Sequence, residues 1–266
     1  MSEILANYHT HTTRCQHADG TEEEYIRAAL AQGYQVLGFS DHTPWNYYAM
    51  SPKARRIRMD ALELPDYVST LSALRREYAG RLRLHIGLEA EYFPEGLSWL
   101  DEQRERFGIE YLLLGCHYDS IGPESNYLGR PRDAGDVRRY ADLVQEGLES
   151  GRYICLAHPD LFLNGCTVFD AEAEKACRQV CETAVKTGTI LEYNLAGYLR
   201  HPMNGDKLGY TTGQFWEIAA EYPVCALVGS DAHAPSEVES EALVRDRQAY
   251  LRGLGIQVVD LLPGLD

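Results

Sequence analysis

Long hydrophobic runs are absent from this sequence of 266 residues. No apolar stretch approaches the ~18 residues that a membrane-spanning helix needs. Positions 1–12 also lack the basic and then apolar pattern of a secretory signal peptide. Hydrophobic residues still make up 45% of the chain, which is enough for one large buried core. We therefore predict a single soluble domain over residues 1–266, located in the cytoplasm.

Basic residues are scarce relative to acidic ones. The chain has 25 Lys and Arg residues against 40 Asp and Glu residues, which gives a formal net charge of −15. A surface this negative repels phosphate backbones, so the balance argues against long nucleic acid as the partner. A small phosphorylated metabolite remains compatible, because metal ions or a locally basic pocket can accept it. We expect a monomer or a small homo-oligomer without a membrane partner.

Cysteine pairs of the C-x-x-C type are missing as well. The seven cysteines are odd in number, and a disulfide framework is not expected in a long chain that looks cytosolic. Cys177 and Cys181 lie four positions apart on a predicted helix. We expect both to be buried as small apolar side chains.

Short apolar runs alternate with amphipathic segments along the chain. Each run is nearly continuous, which is typical of strands buried on both faces of a parallel sheet. The first helix is signalled by Thr21 followed by Glu24, a capping box. Predicted strands cover residues 4–8, 36–40, 82–88, 111–116, 153–157, 189–193 and 224–229. Helical patterns begin at Thr21 and cover residues 65–78, 133–150, 171–186, 212–221 and 236–251.

This alternation predicts an α/β fold, a parallel barrel of seven or eight units. A doubly wound open sheet is the alternative. No G-x-G-x-x-G motif follows the first predicted strand, which disfavours a dinucleotide-binding version of that alternative.

Most of the histidines follow the carboxyl end of a predicted strand. In a parallel barrel the carboxyl ends of the strands form one rim, where the loops converge. The third and seventh predicted strands bring the carboxylates of Glu89 and Asp231 to the same rim. His85 lies inside the third strand and is expected in the core or on the barrel exterior. Six of the nine histidines stand at or just beyond the end of a predicted strand: His9, His11, His42, His117, His158 and His233.

Divalent metal ions explain such a gathering. Six imidazoles and two carboxylates on one rim would repel each other or leave buried donors unused unless something collects them. Neutral imidazole and carboxylate are the natural ligands of divalent transition metals. His9 and His11 alternate on an extended segment, so both point to one side. The set is too large for one tetrahedral ion, and we predict two or three ions.

At these residues the sequence resembles the polymerase and histidinol phosphatase (PHP) superfamily, and in particular its histidinol-phosphate phosphatase branch. The resemblance runs in family order over nearly the whole chain. The motifs that carry it are His9-Thr10-His11, His17, Ser40-Asp41-His42, Gly87-Leu88-Glu89, His117, His158 and Gly229-Ser230-Asp231-Ala232-His233.

The resemblance implies a distorted (β/α)7 TIM-like barrel with a trinuclear cluster of zinc, manganese or iron at the carboxyl ends of the strands. Asp41, which precedes a ligand, is expected to orient the cluster rather than to bind metal. Carried over by position, one ion would take His9, His11, Glu89 and Asp231, a second would share Glu89 and add His117 and His158, and the third would take His17, His42 and His233.

The activity implied is that of a metal-dependent phosphomonoesterase, which hydrolyses L-histidinol phosphate to L-histidinol and phosphate in histidine biosynthesis through a metal-bridging hydroxide. Catalytic roles are expected for Asp231, Glu89 and Arg200. Arg200 ends a segment, 191–200, that resembles the branch's E-x-N…G…R pattern. Asp160 and His201 are further candidates for substrate binding. A PHP phosphoesterase of other specificity, for a nucleotide or another small ester, and a non-catalytic metal-binding module are the alternatives.

Overall fold

Parallel strands that pair in chain order form the centre of the molecule. The computed structural model describes residues 4–45 and 52–265. Each strand pairs with the next along the chain, and the sheet within these residues has eight strands. Seven of them coincide with predicted strands, and the eighth was missed. The strands are β1 Ala6–Asn7, β2 Val36–Phe39, β3 Arg83–Ala90, β4 Tyr111–Leu114, β5 Cys155–Leu156, β6 Ile190–Asn194, β7 Cys225–Gly229 and β8 Gln257–Val258.

Helices connect the strands, and their ends follow local capping chemistry. The predicted capping box is present, since the Thr21 hydroxyl accepts from the Glu24 amide and the Glu24 carboxylate accepts from the Thr21 amide. The last predicted helix begins five residues late, at Glu241, where Ser240 caps it. The helices are α1 Glu22–Ala31, α2 Pro52–Arg55, α3 Leu64–Glu77, α4 Leu97–Phe107, α5 Ala134–Glu149, α6 Ala171–Thr187, α7 Leu195–Arg200, α8 Gly213–Ala219 and α9 Glu241–Gly253.

The barrel closes between its first and seventh strands, and only beyond their carboxyl ends. The His11 amide donates to the Ala232 carbonyl at 2.9 Å, and the Ala232 amide donates to the His9 carbonyl at 3.3 Å. At the other end of β7, Cys225 pairs with Gln257 of β8, which adds an edge strand there. The predicted α/β barrel is confirmed, and its closed end is the rim to which the histidines were assigned.

Tyr111 fills the barrel interior below this rim. Its hydroxyl donates to the carbonyls of Tyr8 at 2.7 Å and Phe39 at 3.2 Å. A Cβ atom on Gly87 would lie 2.5 Å from the Tyr111 ring, so the neighbouring strand has to carry a glycine here. The tyrosine therefore ties β1, β2 and β4 together and forms part of the floor beneath the site.

His85 lies in the core on the amino-terminal side of β3, in keeping with its predicted position. Its Nδ1 atom is 3.0 Å from the carboxylate of Glu110. Cys177 and Cys181 are also buried, as predicted. None of the helices in the described part of the chain is at once long and apolar enough to span a bilayer.

Candidate metal centre and active site

The side chains predicted as metal ligands converge on the rim. The imidazoles of His11 and His233, which come from the first and the last loops of the barrel, stack with ring centroids 4.0 Å apart. The rings of His11 and His42 lie 4.4 Å apart, and those of His117 and His158 lie 5.0 Å apart. The loops after five different strands thus deliver imidazoles to one small volume.

Potential ligand atoms within this volume form compact groups. In each group, one nitrogen or oxygen atom from every member lies within 4.8 Å of the others. Three such groups together contain all nine predicted ligand residues. They are His9 with His11 and Asp231, Glu89 with His117 and His158, and His17 with His42 and His233.

Glu89 lies between the groups. One carboxylate oxygen, Oε1, is 2.9 Å from His158 Nε2 and 3.4 Å from His117 Nε2. The other oxygen, Oε2, is 3.0 Å from His42 Nδ1 and 3.4 Å from His9 Nε2. The two oxygens of this buried carboxylate therefore face different imidazoles, an arrangement suited to a shared ligand.

Several ring nitrogens and one carboxylate oxygen at this centre are buried and make no hydrogen bond of acceptable geometry with the described residues, although some of them lie close to one another. A buried polar atom without a hydrogen bond costs free energy, and a cluster of such atoms is typical of a site built to bind a ligand. Imidazole nitrogen and carboxylate oxygen together are the donor set of divalent transition metals. The residues therefore fit metal ions. The atoms are His9 Nε2, His11 Nε2, His42 Nδ1, His233 Nε2 and Glu89 Oε2.

Carboxylates outside the three ligand groups orient the imidazoles. His9 Nδ1 is 2.8 Å from Glu192 Oε1, and His117 Nδ1 is 3.2 Å from Glu91 Oε1. A carboxylate on one ring nitrogen orients the other nitrogen toward a metal. Asp41 holds the loop after β1 through the Thr12 amide at 3.2 Å, which agrees with an orienting role.

The electrostatics of the centre favour a cation. Burial by itself raises the pKa of the Glu89 carboxyl, but the imidazoles of His117 and His9 outweigh this effect and hold that pKa well below its ordinary value. Burial lowers the pKa of His9, yet the carboxylates of Glu192, Asp231 and Glu89 outweigh it and raise that pKa well above the usual range. His9 thus experiences a strongly negative field, whereas burial and the neighbouring imidazoles lower the pKa values of His42 and His233 well below the usual range. Both kinds of ring can bind a cation, since a neutral imidazole is a metal ligand.

Two of the clustered residues have left-handed backbones. The φ angles of His158 and Asp231 are 31° and 51°, values that non-glycine residues rarely adopt. Such strain persists only where the surrounding structure enforces it, and it concentrates at functional sites. Both side chains turn toward the shared centre at these positions.

A cavity of about 300 Å³ opens onto this centre. Arg200, predicted to bind phosphate, lies in its wall, and its guanidinium donates to the Tyr210 hydroxyl at 3.4 Å. The sequence interpretation missed the other wall residues that are not ligand candidates, because they come from loops without a motif. These are Ile57, Tyr118, Tyr127, Arg130, Leu161 and Tyr210.

The structure corrects the expectation for Asp160. This carboxylate is fully buried, and it accepts from the amides of Thr211 at 2.9 Å and Thr212 at 2.7 Å. It therefore ties two loops together and does not face the cavity. His201 is exposed and lines a separate groove with Arg247, so the structure does not bring it to the site.

Fold and site together define a class of protein, an α/β barrel built to hold divalent metal ions at the carboxyl ends of its strands. The sequence profile of the PHP domain matches residues 7–196. The chain belongs to the PHP domain family, as the histidine motifs predicted.

Relatives and solved structures extend this likeness. The probable histidinol-phosphatase of Deinococcus radiodurans is 32% identical over 244 residues, which cover 88% of each chain. The fold is similar to that of histidinol phosphate phosphatase from Lactococcus lactis, whose structure is a complex with zinc, L-histidinol and phosphate. The TM-score is 0.73, with 16% identity over 97% of this chain and 96% of that one. The structure of the putative histidinol phosphatase from Listeria monocytogenes has a TM-score of 0.71 and 19% identity, over 90% of this chain and 98% of that one.

Proposed function

We propose that this protein is a metal-dependent phosphomonoesterase that hydrolyses L-histidinol phosphate to L-histidinol and phosphate. The observation that carries the proposal is the convergence of nine ligand-type side chains beside a small cavity with arginines in its wall. The similarity to a probable histidinol-phosphatase over 88% of the chain supports the choice of substrate. In this proposal the protein binds a small phosphorylated metabolite in the cytoplasm.

The proposed cofactor is a cluster of three divalent ions. His9, His11, Glu89 and Asp231 would hold the first ion, Glu89, His117 and His158 the second, and His17, His42 and His233 the third. When bound, such ions lower the pKa of a coordinated water to near 7 and neutralise charge on phosphoryl oxygens. Glu89 and Asp231 act in this scheme through the charge that they place on the cluster.

The chain's own contribution is to bind and orient the phosphoryl group. Arg200 presents a planar guanidinium that can grip two phosphoryl oxygens at once. The Tyr210 hydroxyl accepts from Arg200, which restrains the guanidinium at the cavity wall. Glu192, Asp41 and Glu91 keep the imidazoles oriented, so the centre is organised before the substrate arrives.

Hydrolysis of L-histidinol phosphate by the purified, metal-loaded protein tests the proposed function. We expect kcat/KM for this ester to exceed that for nucleotides and sugar phosphates by at least about tenfold, the equivalent of ~1.4 kcal/mol in transition-state binding. Chelation should abolish the activity, and added metal should restore it. Preferential hydrolysis of another ester would assign the site to a PHP phosphoesterase of different specificity. The absence of hydrolysis for every ester tested would contradict the proposed phosphatase activity.

Elemental analysis of the same preparation tests the cluster. We expect more than one equivalent of transition metal per chain, because the nine clustered side chains exceed the three or four that one ion uses. At most one tightly bound ion in fully active protein would contradict the cluster. The variant His85→Gln serves as a control, since His85 is bonded to Glu110 away from the centre and its loss should leave the metal content unchanged.

A further inference from the structure

A short hairpin rises from the metal centre directly after β4. Tyr118 and Tyr127 face each other across an antiparallel bridge. The Leu128 amide donates to the carbonyl of the candidate ligand His117 at 2.8 Å, which closes the hairpin at its base. Asp119 accepts from the Asn126 amide at 2.9 Å and holds the two arms together. The segment is therefore an ordered extension of the rim.

Arg130 follows this hairpin, and its backbone is closely packed. Its amide donates to the Tyr127 carbonyl at 3.3 Å. A Cβ atom on Gly165 would lie 2.7 Å from the Arg130 Cα, and one on Gly129 would lie 2.6 Å from the Tyr127 ring. Both contacts leave no room for a side chain. The hairpin and the loop after β5 thus fix the point from which the Arg130 side chain reaches the cavity wall.

The charge on Arg130 is not neutralised by the described part of the chain. No carboxylate there lies within ion-pair distance of its guanidinium, although the chain carries 40 acidic residues. Arg132, two positions along, instead makes a bidentate pair with Asp136 at 2.7 and 2.8 Å. Arg200, in the same cavity wall as Arg130, donates a hydrogen bond to the Tyr210 hydroxyl and forms no ion pair with a carboxylate of the described residues. Two guanidinium groups therefore face one cavity without a carboxylate partner of their own.

We propose that Arg130 is a second phosphate-binding residue, which grips the phosphoryl group of the substrate together with Arg200. This inference rests on the proposed phosphatase function and adds a residue to it. A phosphomonoester dianion presents three terminal oxygens, more than one planar guanidinium can bind. Arginines that reach the cavity from the hairpin segment and from the end of α7 can engage different oxygens of the same group, while the alcohol portion of the ester lies elsewhere in the cavity.

Calorimetric titration of inorganic phosphate into metal-loaded protein tests the inference without relying on turnover. Loss of a charge-assisted bidentate contact is expected to weaken phosphate binding by roughly tenfold to a hundredfold in Arg130→Ala. Arg200→Ala should give a loss of similar size, and Arg130→Lys, which keeps the charge but not the fork, an intermediate one. Arg132→Ala is the matched control and should bind phosphate as the parent does, because the Arg132 side chain is 63% exposed and paired with Asp136.

Inhibition by L-histidinol, measured on the same variants, distinguishes binding of the alcohol portion of the substrate from binding of its phosphoryl group. We expect Arg130→Ala to leave this inhibition unchanged. Parental affinity for phosphate in Arg130→Ala, or a loss confined to histidinol inhibition, would overturn the inference. If the parent protein binds phosphate through Arg130 but does not hydrolyse L-histidinol phosphate, the proposed substrate fails and the role of Arg130 stands.

Discussion

Replacement of Glu89 by Gln is expected to lower kcat by at least about two orders of magnitude, the scale of losing a major electrostatic contributor. The carboxylate lies within 3.4 Å of four imidazole rings, which belong to all three ligand groups. Gln keeps the shape of the side chain but removes its charge and one good oxygen ligand. The bound metal should fall below the parental content for the same reason.

The measurement is kcat on L-histidinol phosphate together with elemental analysis of each variant. Glu124→Gln is the control, because Glu124 is exposed in the hairpin after β4 and does not line the cavity. Turnover and metal content near those of the parent in Glu89→Gln would show that the centre does not depend on this carboxylate. Glu91, two positions along, could not take over the role of Glu89 without moving, because both of its carboxylate oxygens already accept from Arg58.

Arg58→Leu is expected to destabilise the fold by about 3–5 kcal/mol, because it leaves a buried carboxylate without its partner. Arg58 is fully buried, and its two terminal nitrogens donate to Glu91 at 2.9 and 2.7 Å. The Trp45 indole donates to the same carboxylate at 2.8 Å. Burial raises the pKa of Glu91, but the Arg58 charge outweighs it and keeps the carboxyl ionised.

Urea unfolding of metal-free protein measures this effect without a contribution from bound ions. Two variants calibrate the result. Arg178→Leu removes surface ion pairs with Glu174 and Glu221 and should cost less than about 1 kcal/mol. The double variant Arg58→Leu with Glu91→Leu should recover much of the lost stability, because both charges are then absent. A midpoint for Arg58→Leu indistinguishable from that of Arg178→Leu would contradict the prediction.

Much of the barrel could be predicted because its first seven strands lie in buried apolar runs and most rim residues follow one closely, whereas the missed β8 starts with an exposed Gln257. Helix α4 was missed for a local reason. Its first turn follows Gly96, which has no side chain to cap it, so the start of the helix carries no sequence signal. The end of α6, by contrast, was readable from Gly188, whose φ angle of 70° suits glycine.

The substrate side of the site was less predictable than the metal side. Asp160 follows a candidate ligand in sequence, but its partners Thr211 and Thr212 lie 51 and 52 positions away. Nothing in the local pattern indicates such a contact. Tyr127 and Arg130 reach the cavity through a hairpin whose pairing depends on tertiary context. Position after a strand is therefore informative for rim residues, and much less so for side chains carried by long loops.

The closure of the barrel sets an order for assembly. The Asn7 side chain accepts from the Ser230 amide, 223 positions further along, and His9 and His11 meet Ala232 beside it. At roughly 5–20 residues per second, a ribosome needs about 11–45 seconds between these two points. During that interval most of the imidazoles have been synthesised, but Asp231 and His233 have not. Loading of the complete centre with metal must therefore follow synthesis of the seventh strand.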